Sequence, residues 1–292
     1  MKAGSFRYER AYTLAEVFRL RREAGGDAQL LAGGQSLLAA LAFRLSEPSL
    51  IIDISRVRDL KGVSVLPSGH LRVGALTTHR ELAAHPDVNR HAPLLAEAVP
   101  LIAHAAIRNR GTIGGSLAFA DAAAELPACC VALEARIIAT GPNGERAIPA
   151  ATFFTGLFAT ALAEDELIQA VEFPCAAPGD RATIVELTRR CGDYAMAGLA
   201  AWAQHVDARL QTPRLVYFGV GAGPVVAGAA ARALGPGPWT PHKVAEAQTL
   251  LDRDLDPPPD QHGGPEMKRH LARVLLARAV GKLGVEPGVR AA

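Results

Sequence analysis

Two glycine pairs in matching surroundings constrain this chain more than any other feature. The first lies in Leu30-Leu31-Ala32-Gly33-Gly34-Gln35-Ser36-Leu37. The second lies in Asn109-Arg110-Gly111-Thr112-Ile113-Gly114-Gly115-Ser116-Leu117. Each has an apolar lead-in, a Gly-Gly turn, a small polar residue and an apolar exit. Without a Cβ, backbone N–H groups can face outward. Such a nest of amides, with flanking hydroxyls, is what a phosphate oxygen needs. Either pair alone also fits an ordinary turn. Gly33 and Gly114 are 81 positions apart (114 − 33), and two such loops suit a diphosphate, which has two ends to clamp. Neither fits the dinucleotide fingerprint with glycines at first, third and sixth positions. No Gly-Lys-Ser/Thr phosphate loop occurs either. The anion site is therefore of another kind.

The 292 residues suit two or three modest domains with a sizeable core. A hydrophobic content of 49% excludes global disorder. Aromatics at 5% and a net charge of +2, with no basic block, argue against a nucleic-acid partner. The stretch Met1 to Arg7 has no apolar signal region, and no apolar run is long enough to span a bilayer as a helix. No integral membrane segment is expected, and the cytoplasm is the expected location. Cys129, Cys130, Cys175 and Cys191 form no Cys-x-x-Cys pair. The Cys129-Cys130 doublet reads as buried free thiols, so neither a zinc ribbon nor an iron–sulfur cluster is expected here. His79, His85 and His91, spaced by six, share no helix face and read as solvated loop histidines.

Thr13, with Glu16 three positions on, predicts a capped helix after a strand at Phe6–Tyr8. Strands at Gln29–Ala32 and Leu50–Ile54 flank a helix at Ser36–Leu45, with Leu37, Leu38, Leu41 and Leu45 on one side. Val63–Leu66 and Leu71–Ala75 predict a hairpin. Thr78 caps a helix from His79 to Ala84. Pro93 to Ala106 reads as a helix kinked or broken at Pro100. A helix at Glu125–Leu133 and a hairpin around Pro142-Asn143-Gly144-Glu145 follow, then a strand at Leu167–Phe173. Cys175–Asp180 is a linker candidate. Beyond it, Ala182–Thr188 and Arg214–Val220 read as strands, and Ala195–Val206 as strand or helix. Gly219 to Pro224 reads as a structural turn. The final helix, Glu266–Val280, carries Lys268, Arg269, Arg273 and Arg278 on a solvated or partner-docking face.

The two glycine loops resemble those that hold the flavin diphosphate in the FAD-binding medium subunits of molybdenum hydroxylases, the carbon monoxide dehydrogenase and xanthine dehydrogenase family. Gly74-Ala75-Leu76-Thr77-Thr78-His79, Asp121-Ala122-Ala123-Ala124-Glu125-Leu126-Pro127 and Arg189-Arg190-Cys191-Gly192-Asp193-Tyr194-Ala195 extend the resemblance from Phe6 to about Leu276. Ala122 and Phe119 depart from the family's usual proline and its small residue or histidine. The resemblance implies an α+β fold: a two-subdomain FAD-binding domain of the PCMH (vanillyl-alcohol oxidase-like) type, then a smaller α+β C-terminal domain. The expected boundaries are 1–177, with subdomains about 1–57 and 58–177, and 178–292.

The resemblance further implies an oxidoreductase subunit that relays electrons through FAD to an external acceptor. Molybdenum–pterin and 2Fe–2S clusters would belong to a large and a small partner subunit, in a dimer of heterotrimers. Other readings are an assembly subunit that has lost FAD and a stand-alone flavin oxidoreductase. Amides of Gly33, Gly34, Gln35, Gly114 and Gly115 are expected on the diphosphate, with hydroxyls from Ser36, Thr112 and Ser116. Leu31, Ala32 and Leu37 belong to the same first loop. Asp121 and Glu125 are expected on ribityl or ribose hydroxyls, Asp121 alternatively as a helix cap. Ile102 and Tyr194 are expected near the isoalloxazine, or alternatively in the core. No acid–base catalytic residue and no metal ligand is expected.

Overall fold

The computed structural model describes residues 3–206, 209–261 and 263–284. Met1 and Lys2, part of the stretch read for a leader, lie outside them. Strands β1 (Arg7–Arg10), β2 (Ala28–Leu31) and β3 (Leu50–Asp53) form a parallel sheet in the order β1-β3-β2. Parallel neighbours need crossovers, which α1 (Leu14–Glu23) and α2 (Leu37–Ala42) supply. Thr13 caps α1 in a reciprocal capping box with Glu16. Helix α2 is shorter than the expected Ser36–Leu45. Arg44 turns left-handed, at φ 56°, and ends it. Of its four leucines only Leu41 is buried, and Leu45 is 81% exposed. The expected apolar face is therefore only partly covered by the described residues, with Leu38 and Leu45 exposed.

A second, antiparallel sheet has the order β4-β5-β10-β6-β7. It comprises β4 (Val63–Val65), β5 (His70–Gly74), β6 (Arg136–Gly141), β7 (Gly144–Pro149) and β10 (Leu167–Pro174). Between β5 and β6 run α3 (His79–Ala84), α4 (Pro86–His91), α5 (Pro93–Ala98), α6 (Ala105–Arg108), α7 (Ile113–Phe119) and α8 (Glu125–Ala132). Thr78 caps α3 in a capping box with Glu81. The expected helix Pro93–Ala106 is broken at Pro100 into α5, a 3-10 turn and α6. A short helix α9 (Ala150–Phe153) and a small hairpin of β8 (Phe154–Gly156) and β9 (Ala159–Thr160) precede β10.

The third sheet is antiparallel, ordered β11 (Asp180–Leu187), β12 (Ala197–Val206), β14 (Arg214–Phe218), β15 (Val225–Val226), with β13 (Arg209–Leu210) beside β12. The stretch Ala195–Val206 is thus a strand. Helices α10 (Gly228–Leu234), α11 (Pro241–Asp254) and α12 (Pro265–Gly284) cover one face of it. Helix α8 packs on the other, against β12 and β14. All eight residues of α8 are buried, Cys129 and Cys130 as free thiols. One hydrophobic cluster runs from the second sheet through α8 to Ile184, Ala200, Val216 and Phe218 of the third. Lys268 does not lie on a solvated face of α12. It is 2% exposed and donates to the Gly219 carbonyl at 2.8 Å and to Asp260 Oδ2 at 2.5 Å. The turn after β14 supplies that carbonyl, which sequence spacing alone does not reveal. Among the described residues, no helix is long and apolar enough to cross a membrane.

Asp53, at the end of β3, accepts from the Tyr8 hydroxyl at 2.5 Å, Arg10 Nε at 3.0 Å and the Ser55 N–H at 2.9 Å. Burial pushes its carboxyl up, but the donors from Tyr8, Ser55 and Arg10 together outweigh burial and hold it at about 2. A depressed carboxyl stabilises the fold above its unfolded value and loses that contribution as pH falls through the folded one. Asp53→Asn is expected to cost about 2 kcal/mol at pH 7, on the scale of charge-assisted hydrogen bonds. The gap to wild type should shrink between pH 4 and pH 2. Urea unfolding across that range checks both.

Candidate functional site

The two glycine loops meet. A Cβ built on Gly33 would lie 2.1 Å from the Arg110 carbonyl oxygen and 3.0 Å from the Gly111 α-carbon. Only glycine permits this backbone-to-backbone approach. Gly34 adopts φ 75°, and Gln35 folds back so that its Nε2 donates to the Gly33 carbonyl at 3.0 Å. Among the described residues, no protein acceptor faces the N–H groups of Gly33, Gly34, Gln35 or Ser36. Four adjacent donors are thus open at the first loop. Leu31, Ala32 and Leu37 flank them, half-buried.

The second loop is built differently from the expected turn. Gly114 and Gly115 belong to the first turn of α7, capped by Thr112, whose Oγ1 accepts the Gly115 N–H at 3.1 Å. The Gly114 N–H donates to the Ala75 carbonyl at 2.8 Å. A Cβ on Gly114 would lie 2.5 Å from the Ala75 Cβ. These glycines let α7 pack tightly on the β5–α3 junction, and the expected pair of open amides there is absent. Ser116 remains half-buried, its side chain without a hydrogen bond among the described residues. His79, expected in solvent, lies beneath this loop. It is 5% exposed, its backbone N–H donates to the Gly111 carbonyl at 2.9 Å, and neither ring nitrogen has a hydrogen bond. Burial lowers its imidazole to about 4, so it is neutral at pH 7. His85 likewise is not a free loop histidine: its Nδ1 accepts the Asp87 N–H and caps α4.

Helix α7 carries the chain about 10 Å, at 1.5 Å per residue, to a second group of predicted residues. Asp121 accepts the Ala123 N–H at 2.9 Å, and the N-cap of α8 is Ala124. Asp121 therefore does not cap α8. Glu125 opens α8 and is 8% exposed, and among the described residues no cation pairs with it. Burial raises its carboxyl to about 8, and the charges of Glu186 and Asp121 add to the rise. Tyr194 is 60% exposed, which removes the alternative of a core tyrosine. Partial burial and the charges of Asp121 and Glu125 push its ionisation to higher pH. Ile102 is buried within the main core cluster. Arg108 fixes its segment by donating to the Ile102 and Ala103 carbonyls, both at 2.7 Å. A Cβ on Gly192 would lie 2.8 Å from His104 Cε1, so the Tyr194 loop closes on this segment.

A profile described as the FAD binding domain in molybdopterin dehydrogenase matches residues 4–176, and one described as the CO dehydrogenase flavoprotein C-terminal domain matches 182–283. The chain belongs to the FAD-binding medium-subunit family of molybdenum hydroxylases. It is 37% identical over 283 residues to the 6-hydroxypseudooxynicotine dehydrogenase complex subunit alpha of Paenarthrobacter nicotinovorans, covering 97% of this chain and 95% of that protein. It is 34% identical over 276 residues to the carbon monoxide dehydrogenase medium chain of Hydrogenophaga pseudoflava, covering 94% and 96%. Among solved structures, carbon monoxide dehydrogenase from Hydrogenophaga pseudoflava superposes with a TM-score of 0.93 at 34% identity, over 97% of this chain and 98% of that one. Quinoline 2-oxidoreductase from Pseudomonas putida 86 gives 0.91 at 34% identity, over 97% and 98%. As in these relatives, the chain is an oxidoreductase subunit with an FAD-binding domain.

The family and the open donors agree: residues present at the first loop fit a diphosphate. Sequence reasoning missed two residues near the second group, Glu186 and Gly219. The Gly219 N–H, at φ 75°, donates to the Ala122 carbonyl at 2.7 Å and ties the third sheet to the Asp121 segment. The turn-like Gly219–Pro224 was its only signal. Gly33→Ala and Gly114→Ala are each expected to destabilise the chain by about 1–3 kcal/mol, the cost of overpacking. Gly281→Ala, in open space on α12, should be neutral or stabilising. Thermal unfolding of the three variants checks the contrast.

Proposed function

We propose that this chain binds FAD between the two glycine loops and the Tyr194 loop, and relays electrons through it within a multi-subunit molybdenum hydroxylase. The observation that carries the reading is the set of four unpartnered amides at Gly33–Ser36, held open by the contact of Gly33 with Arg110. A diphosphate supplies the acceptors those amides lack. Ser36, Ser116 and Thr112 add hydroxyls around it, and Leu31, Ala32 and Leu37 wall its apolar side. Gly114 and Gly115 act in this site by packing. Asp121 and Glu125 accept from ribityl or ribose hydroxyls, and Tyr194 and Ile102 flank the ring.

FAD, when bound, supplies the redox chemistry, accepting electrons and passing them on. The chain's own residues bind it, orient it and set its electrostatic surroundings. The reading gives residues 1–177 the cofactor and residues 178–292 the wall that carries Tyr194. Relatives include medium chains and medium subunits of carbon monoxide dehydrogenase and nicotine 6-hydroxylase. That vocabulary supports partners: a large molybdopterin subunit and a small iron–sulfur subunit, in a cytoplasmic dimer of heterotrimers. The exposed Leu38 of α2 and Leu45 just beyond it are consistent with a surface that meets a partner.

The purified chain, alone or with its partner subunits, is expected to bind FAD and show flavin absorbance. Gly34→Val, at a left-handed position, should weaken FAD binding at least about tenfold, more than 1.4 kcal/mol, with the circular dichroism of the fold retained. A chain that stays colourless with FAD and partners present overturns the reading.

A further inference from the structure

The third sheet turns a carboxyl toward the candidate site. Side chains alternate along a strand. On β11, Ala182 and Ile184 pack into the cluster built around α8, while Val185 and Leu187 pack toward the C-terminal helices. Glu186 shares the side of Ile184, facing the FAD-binding part. Its cross-strand partner is Gly198. A Cβ on Gly198 would lie 2.0 Å from the Phe218 ring, which therefore fills that place. Glu186 thus sits beside an aromatic ring on an otherwise apolar face. Its Oε2 is sealed from solvent and has no hydrogen-bond partner, while the residue as a whole is only half-buried. Among the described residues no cation pairs with it.

We propose that Glu186 belongs to the cofactor site, where its partnerless carboxyl, together with that of Glu125, must be largely neutral for an anionic flavin nucleotide to seat. The proposal rests on the flavin reading above. Two carboxylates without a cation resist joint ionisation, because each is desolvated and each repels the other. A bound flavin nucleotide would cover them further and bring its own negative diphosphate. Both effects disfavour the charged forms, so binding takes up protons. Burial already holds Glu186 up to about 7 and Glu125 up to about 8. The charge of Asp121 also bears on Glu125, and the charge of Glu125 bears in turn on Tyr194 and on Cys129 of α8. Glu97 of α5 is engaged by Thr183 and Lys282, and Lys268 of α12 lies across the sheet, held by Asp260 and Gly219. None of these cations reaches the pair.

The test is an FAD titration of the full chain, read by flavin fluorescence between pH 6.5 and 8.5, on wild type, Glu186→Gln and Glu125→Gln. Wild-type affinity is expected to fall at least about tenfold across the range, within the limit of about tenfold per pH unit for one proton taken up. Glu186→Gln, an uncharged isostere, should bind well at pH 8.5 and lose most of the slope. If Glu186→Gln does not fold, Glu186→Leu, matched to the apolar face beside Phe218, carries the same expectation of a flattened profile. A wild-type affinity independent of pH overturns the proposal. So does an unchanged slope in the Glu186 variants. Either result leaves the flavin reading standing, whereas a wild type that binds no FAD at any pH overturns both.

Discussion

The approach of Gly33 to the Arg110 carbonyl is the contact on which the site depends. It joins a loop leaving the small parallel sheet to a loop entering α7, so it fixes how the first unit sits on the second. A methyl group at Gly33 would overlap a carbonyl that Arg110 cannot withdraw without moving the Asn109–Thr112 segment. That segment is itself pinned by the Gly111 bonds to Ile107 and His79. In the same loop the amides of Gly33–Ser36 have no acceptor among the described residues. Close packing and open donors meet in one loop.

Helix α8 is the second organising element. It is buried on every side because α5, α7 and α9 lie on one flank and the third sheet on the other. An apolar helix of that kind cannot carry a polar stripe, which accounts for its Cys129-Cys130 doublet and its alanines. Its one ionisable carboxyl, Glu125, is placed at its first residue, where the helix emerges between the two parts. The polar groups of this seam are otherwise matched in pairs: the Gly219 N–H with the Ala122 carbonyl, and Glu97 with Thr183. Glu186, whose Oε2 has no hydrogen-bond partner among the described residues, and Glu125, buried with no ion pair among them, stand apart, and carboxyls so placed in a seam mark a functional region rather than a stabilising one.

Much of this was legible in the chain. The capping boxes at Thr13 and Thr78 and the hairpin strands on either side of Pro67–His70 rest on local chemistry within a few residues, and they stand as read. The break at Pro100 follows from an equally local rule. Other features depend on what lies opposite in space. Lys268 has helical spacing that suits solvent, and only the Gly219 turn brought beneath it explains its burial. His79 follows a good helix cap, and only the return of the Arg110–Thr112 loop covers it. The stripe Leu37, Leu38, Leu41 and Leu45 suits one buried face, yet Leu38 and Leu45 are left exposed.

The sequence by itself determined the local backbone: where glycine allows a turn, where a hydroxyl ends a helix, which strands alternate, and that two glycine pairs share one chemistry. Tertiary structure alone decided what each glycine pair does. Gly33 and Gly34 present amides, whereas Gly114 gives its N–H to Ala75 and serves packing. The physical reason is that an N–H group is available to a ligand only if no carbonyl has already reached it, and that carbonyl, Ala75, lies 39 positions away in the chain (114 − 75). The same holds for Glu186: its residue type is plain in the sequence, but the absence of any partner for its buried oxygen exists only once the two parts of the chain have closed.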